Sequence, residues 1–458
     1  MSLRLDYSNM MISPGGIDGH TWTGASKQFV AAKRGFDSLR TGGSVGFVDL
    51  PRSTELLDQV TSFAKPARGK YDDVVILGIG GSALGPIALR TALRPSGWNM
   101  LDERARDNYP RLHVLDNVDP ETIAALLDRL RLARALFIVT SKSGGTAETM
   151  AQFLIVHDRL VREKLDLTQH LVFVTDPQQG ALRPLADRLG VSALHIPPNI
   201  GGRFSVLTPV GTLPAALIGI DVKSLLAGAA EMAQRCESTE LGSNPAGVYA
   251  ALQWLADTQL KKSIVVFMPY SDPLRDFAGW FVQLWAESLG KKRSDGTSVG
   301  STPLAAIGAT DQHAQVQLFM EGPANKTVTF VAVRERGTDV KIPAAFPDVK
   351  ELAYLAGHSL GELIDVEQRA TAGALAERGR PNMTIHLDRV DAAHVGQLMM
   401  FLEIATAYAG RLYGIDAFNQ PGVELGKQFA YALLGRPGAD EARKEWDSLP
   451  KGDPRWTV

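Results

Sequence analysis

The segment ALFIVTSKSGGTAETMAQFLIVHDRLVREKL, residues 135–165, contains three successive kinds of chain. LFIVT is a short, continuous apolar run and reads as a buried strand. SKSGG is a loop of small polar residues and glycine. TAETMAQFLIVHDRLVREKL carries its apolar residues at the spacing of an amphipathic helix. Strand, loop and helix open a strand–helix–strand unit, and the pattern recurs nearby. YDDVVILGIGG leads into SALGPIALRTAL, RLHVLDN into ETIAALLDRLRL, and HLVFVTDP follows as a further strand. This repetition predicts a parallel sheet wrapped by helices.

A second block repeats the style. KSIVVFMPY reads as a strand, DFAGWFVQLWAESLG as a helix and VTFVAVRE as a strand. Residues 206–260 between the blocks are Ala/Leu-rich and mostly helical. The expected organisation is therefore α/β with two domains. An N-terminal arm, 1–60, precedes the first domain, 61–205. A helical connection, 206–260, leads to the second domain, 261–435, and a C-terminal tail, 436–458.

The bulk numbers narrow the function classes. The 458 residues are enough for two or three domains with cores. The net charge of −2 gives no support for nucleic-acid or membrane-surface binding through bulk charge. Cys236 is the only cysteine, so neither an intrachain disulfide nor a cysteine metal site is expected. The most apolar region, 207–220, is broken by Pro209 and Pro214, and the N-terminus lacks a secretory apolar core. A soluble protein of the cytoplasm is expected, with neither nucleic acid nor membrane as partner.

Two loops at strand ends attract attention. ILGIGGSALG places Gly78, Gly80 and Gly81 before Ser82 and a helix, where backbone can approach an anion. It also fits a loose dinucleotide fingerprint, but the acidic candidate, Asp116, lies too far along the chain. In SKSGGTAET, the hydroxyls of Ser141, Ser143, Thr146 and Thr149 surround a helix start, and Lys142 adds a charge. Short donors with little bulk suit a phosphate monoester. A helix cap with a tight turn uses the same residues. Two such loops on one sheet favour an anion site. A triphosphate fits less well, because GVELGKQ, residues 422–428, is not a phosphate-binding P-loop.

Several charged residues lie on apolar faces. Glu287 edges the Phe277–Trp280–Phe281–Leu284 face and is a candidate general base; a surface pair with Lys291 is the alternative. His313 shares a face with Val316 and Met320, as a satisfied core histidine would. Lys427 lies on an apolar stripe, where it must snorkel or meet an anion. Arg203 follows two glycines and is either close to a ligand or an exposed loop arginine. His386, Asp388, Asp391 and His394 cluster, but Asp391 is better placed as a helix N-cap than in a metal site.

Taken together, GIGGSALGP, SKSGGTAET, GGRFSVLTPVG, WAESLGK, DQHAQVQL and NQPGVELGK resemble the glucose-6-phosphate isomerase family. They occur in that family's order across residues 78–427. The resemblance implies two sugar-isomerase (SIS) domains, each a parallel sheet flanked by helices, and a homodimer with shared active sites. It implies that Ser141, Ser143, Thr146 and, at the edge, Thr149 cradle the sugar phosphate, with Lys142 close by. Gly81 and Ser82 would line the sugar, and Gln420 would contact it. Glu287 would carry the proton between C2 and C1, and Arg203 would stabilise the enediolate. His313, from the partner subunit, and Lys427 would assist ring opening. Neither metal nor redox cofactor is implied. Gly144–Gly145, Phe204, Asn419 and Pro421 depart from common family patterns, and the small glycines suggest room for an epimeric substrate such as mannose 6-phosphate.

Overall fold

The computed structural model describes residues 3–458. Its strands, in chain order, are β1 Arg4–Asp6, β2 Asp73–Leu77, β3 Arg111–Leu115, β4 Ala135–Thr140, β5 Leu171–Thr175 and β6 Ser192–His195. They continue as β7 Ile264–Pro269, β8 Lys291–Lys292, β9 Ser298–Val299, β10 Thr302–Ala305, β11 Lys326–Val333 and β12 Asn382–Leu387.

The first sheet has the order β3-β2-β4-β5-β6 and is parallel throughout. Every residue of β2, β4 and β5 is buried, because helices cover both faces. Val75, Leu77, Phe137, Val139, Leu171 and Phe173 form one core with Phe153 and Val156 of the helix Ala147–Arg162. Ile76 stands between Val114 and Ile138, which fixes the register of the central strands.

The second sheet has the order β1-β12-β11-β7-β10. Four strands are parallel, and β1 joins β12 antiparallel, with Leu5 opposite Ile385. Two helix-flanked sheets are thus observed, as expected, the first parallel throughout and the second parallel except for its β1 edge. The helix Ala392–Tyr413 is buried on nearly all sides and packs against Val222–Arg235, Pro245–Thr258, Gly19–Thr41 and Arg275–Leu289. A helix enclosed in this way needs apolar residues all round.

The segment expected as an N-terminal arm is built into the body. Besides supplying β1, it places Phe29 and Phe36 edge-on to Tyr408, at 5.4 and 5.3 Å between ring centres. Phe47 lies 4.9 Å from Phe204. By contact density the chain forms two units, Met1–Ala417 and Phe418–Val458. The second consists of short helices, chiefly Glu424–Leu433 and Asp440–Ser448, joined by the packing of Phe429 on Trp446. Its start lies before the tail expected after residue 435. Among the described residues no helix is long and apolar enough to cross a membrane.

Candidate active site

The loop after β4 leads straight into a helix. Thr146 is the N-cap of Ala147–Arg162, yet its side chain caps none of the first-turn N–H groups. Its hydroxyl instead lies 3.0 Å from Ser141 Oγ and 3.5 Å from Ser143 Oγ. Three hydroxyls therefore converge beside a helix N-terminus, the arrangement that favours an anion. Thr149 is buried one turn on, and its Oγ1 has no protein hydrogen-bond partner.

The loop is held from below. Thr175 Oγ1 donates to Ser141 O at 2.8 Å. Gly144 has φ +61°, and a Cβ there would lie 2.8 Å from Ala181 N. Gly180 has φ +83°, and its Cβ would lie 2.2 Å from Ser143 O. Gly144 thus makes room for the neighbouring turn. Lys142 Nζ donates to Pro198 O at 2.6 Å and Ile200 O at 2.8 Å. Burial lowers its pKa, with the Asp176 charge acting against that effect. These bonds tie the hydroxyl loop to the chain that runs into Gly201, Gly202 and Arg203.

The turn Gly80–Ser82 approaches that same chain. A Cβ on Gly81 would lie 2.2 Å from Gly202 O, so only glycine permits this backbone crossing. A Cβ on Gly80 would lie 3.0 Å from Gln283 Nε2, on the helix Arg275–Leu289. Gly81 and Ser82 therefore stand between the Arg203 segment and the helix that carries Glu287.

Arg203 is buried rather than an exposed loop residue. Its Nη1 is 3.2 Å from Glu287 Oε1, its Nε donates to Ser288 Oγ at 2.6 Å, and its Nη2 donates to Ala417 O. Burial draws the guanidinium below the ordinary arginine range, while the Glu287 and Asp416 charges act against this. Glu287 Oε2 accepts from Gln283 Nε2 at 3.1 Å. The carboxylate is thus fixed at both oxygens on a helix whose other face is core.

The alternative pairing of Glu287 with Lys291 does not form. The helix ends at Leu289, and Lys291 Nζ donates to Ser288 O at 2.9 Å and Asp416 O at 3.1 Å. Burial, then the Arg203 charge, pushes its pKa down to about 8. Gln283, Ser288 and the carbonyl of Ala417 hold Arg203 and Glu287 in place and were not assigned to the site from the sequence. Only the position of Gln283, one turn before Glu287, was a usable signal.

The remaining expected residues lie on other elements. His313 ends the short turn Thr310–His313 and is exposed, so it is not a core histidine. In the second unit, Lys427 is half-exposed and pairs with Glu424 Oε1 at 3.0 Å, one turn back. Gln420 precedes the turn Pro421–Val423 of that unit. Asp391 caps Ala392–Tyr413 by accepting from His394 N at 2.9 Å. Among the described residues no three His, Cys, Asp or Glu side chains gather in a metal-binding group.

The sequence matches the phosphoglucose isomerase family over residues 51–452. It is 44% identical to a glucose-6-phosphate isomerase of Carboxydothermus hydrogenoformans, over all of both chains. It is 45% identical to the glucose-6-phosphate isomerase of Rubrobacter xylanophilus, over 95% of this chain and 99% of that one. A crystal structure of a hypothetical protein from Thermus thermophilus superposes with a TM-score of 0.84 at 39% identity, covering 94% and 99% of the two chains. A glucose-6-phosphate isomerase from Chlamydia trachomatis shares the fold at a TM-score of 0.80 and 21% identity, over 98% of this chain and 92% of that one. The chain belongs to the phosphoglucose isomerase family.

Proposed function

We propose that the carboxyl edge of the first sheet, with the helix Arg275–Leu289, carries out the family's reaction, reversible interconversion of glucose 6-phosphate and fructose 6-phosphate. The observation that carries this reading is Glu287 held 3.2 Å from the buried guanidinium of Arg203, beside the Gly80–Ser82 turn.

The resemblance supplies the roles, and the chemistry of the residues suits them. Ser141, Ser143, Thr146 and Thr149 hold the phosphoryl group, and the Lys142 charge adds long-range attraction. This binding, remote from the reacting carbons, positions C1 and C2. Gly81 and Ser82 line the sugar, which Gln420 contacts. His313 and Lys427 move the protons that open the ring. Glu287 then takes the C2 proton of the open aldose and returns it to C1. The electron pair left behind forms the C1–C2 double bond as the carbonyl pair moves onto O1, where Arg203 stabilises the charge, and the O2 proton passes to O1 as C2 becomes the carbonyl. One carbon is oxidised as its neighbour is reduced, so the step balances without external redox cofactor or metal.

The exposed His313 supports its service to a second copy's site, and hence a homodimer with shared active sites. The free, buried Cys236 suits a reducing cytoplasm. The test is conversion of fructose 6-phosphate to glucose 6-phosphate in the presence of a metal chelator. Glu287→Gln should lower turnover by about 10²- to 10⁴-fold. Undiminished turnover in that variant would remove Glu287 as the base.

A further inference from the structure

The helix Leu84–Leu93 begins beside the sugar turn and ends in a different cavity. By helical rise, Arg94 lies about 15 Å from Leu84 along the axis. There, residues 90–91, 94–100, Asp272, Pro273 and Arg275 enclose about 520 Å³. The lining holds three arginines against one aspartate. Arg275 is already paired with Asp272, at 2.7 Å. Arg90 and Arg94 have no such ion pair among the described residues.

The Arg94 side chain is half-buried and has neither a hydrogen bond nor an ion pair among the described residues. Its guanidinium lies 5.1 Å from the Trp98 ring and 5.9 Å from that of Tyr109. Those rings support the plane of the group but leave its N–H donors unanswered, and Nε is fully enclosed. Arg90 donates from Nη1 to Leu112 O at 3.0 Å and has no carboxylate in ion-pair contact. The nearby Asp276 carboxylate accepts from Thr91. Burial lowers the pKa of both arginines. The charge of Asp276 acts against that for Arg90, and only that of Tyr109 for Arg94. Two partly desolvated guanidinium groups one helical turn apart, facing a cavity without a matching negative charge, are costly unless an anion completes them.

We propose that this cavity is a second anion site, separate from the hydroxyl cradle, which takes the phosphoryl group or a similar tetrahedral oxyanion of a small metabolite. Arg90 and Arg94 grip it from one side, and the Ser96 hydroxyl lies on the cavity's rim.

Inorganic phosphate is the probe. Calorimetric titration of the full chain should reveal two phosphate sites, and Arg90→Gln/Arg94→Gln should retain one while keeping turnover within about twofold. A single site in the unaltered protein, or two surviving in the variant, overturns the proposal. A second readout needs no variant. Hydrogen–deuterium exchange should show saturating phosphate protecting residues 90–100 as well as the cradle. Protection confined to the cradle overturns it.

Discussion

The two sheets share a plan and differ where it matters. The first places β3-β2-β4-β5 side by side, and the second β10-β7-β11-β12, so each central strand has the same neighbours in the same chain order. The loop after β4 and the loop after β11 are therefore counterparts, each preceding a long helix. After β4, three hydroxyls converge and no side chain caps the helix. After β11, the Asp339 carboxylate accepts from Val340 N at 2.9 Å, Ser359 Oγ at 2.6 Å and Gly361 N at 2.8 Å. Ser359 also caps Leu360–Glu377. The second sheet answers its helix N-terminus with its own carboxylate, and the first leaves that role to neutral hydroxyls. A helix N-terminus at a strand end is open to an external anion only where the chain's own carboxylate does not already occupy its donors.

Substitutions can break this comparison or sharpen it. The largest effect is expected at Arg203. Lysine cannot meet Ser288, Glu287 and Ala417 together, so Arg203→Lys should lower turnover by about 10²- to 10³-fold. Asp339→Asn, in the counterpart loop, should leave steady-state turnover within about twofold. Equal losses would erase the distinction between the two edges.

Next comes the cradle. Ser141→Ala/Thr146→Val removes two donors to a charged group and should raise KM for fructose 6-phosphate by about 10- to 100-fold, with kcat less affected. A smaller effect is expected behind the loop. Gly180→Ala would press a Cβ to 2.2 Å from Ser143 O and should raise KM by about tenfold, through a displaced cradle. Gly337→Ala, in the second sheet's loop, meets nothing within 4 Å and should leave KM unchanged.

The smallest effect concerns acid stability. Hydrogen bonds from Ser359 and then Gly361 hold the Asp339 pKa below its ordinary value near 4. That contribution is present above the unfolded value and is lost as pH falls through the folded one. Asp339→Asn should therefore flatten the acid limb of Tm against pH below about 4 and leave KM untouched.

Legibility in the sequence followed how local the signal was. β2, β4, β5 and β7 are almost wholly buried and read as mainly apolar runs, and β11 was found by its apolar end, FVAV. β1, β10 and β12 did not stand out, because RLD, TPLA and NMTIHL mix polar residues or proline into short segments. The N-terminal segment looked peripheral because its buried residues find their partners near the far end of the chain, as Phe29 does with Tyr408. In the site, the hydroxyl loop was visible because its donors are adjacent in sequence. The pairing of Glu287 with Arg203 was not visible in local spacing, since the two are remote in the chain and helical periodicity pointed to Lys291. The end of the helix at Leu289 removed that alternative.

The most direct test of the central claim is proton bookkeeping. Fructose 6-phosphate is converted in deuterium oxide, and deuterium at C2 of the glucose 6-phosphate formed is measured for the unaltered protein and for Glu287→Gln. With Glu287 as the base, the unaltered protein gives labelled product. The variant then gives neither label nor turnover, while the sugar phosphate still binds the first sheet's edge. Labelled product formed by Glu287→Gln at the unaltered rate would contradict that role.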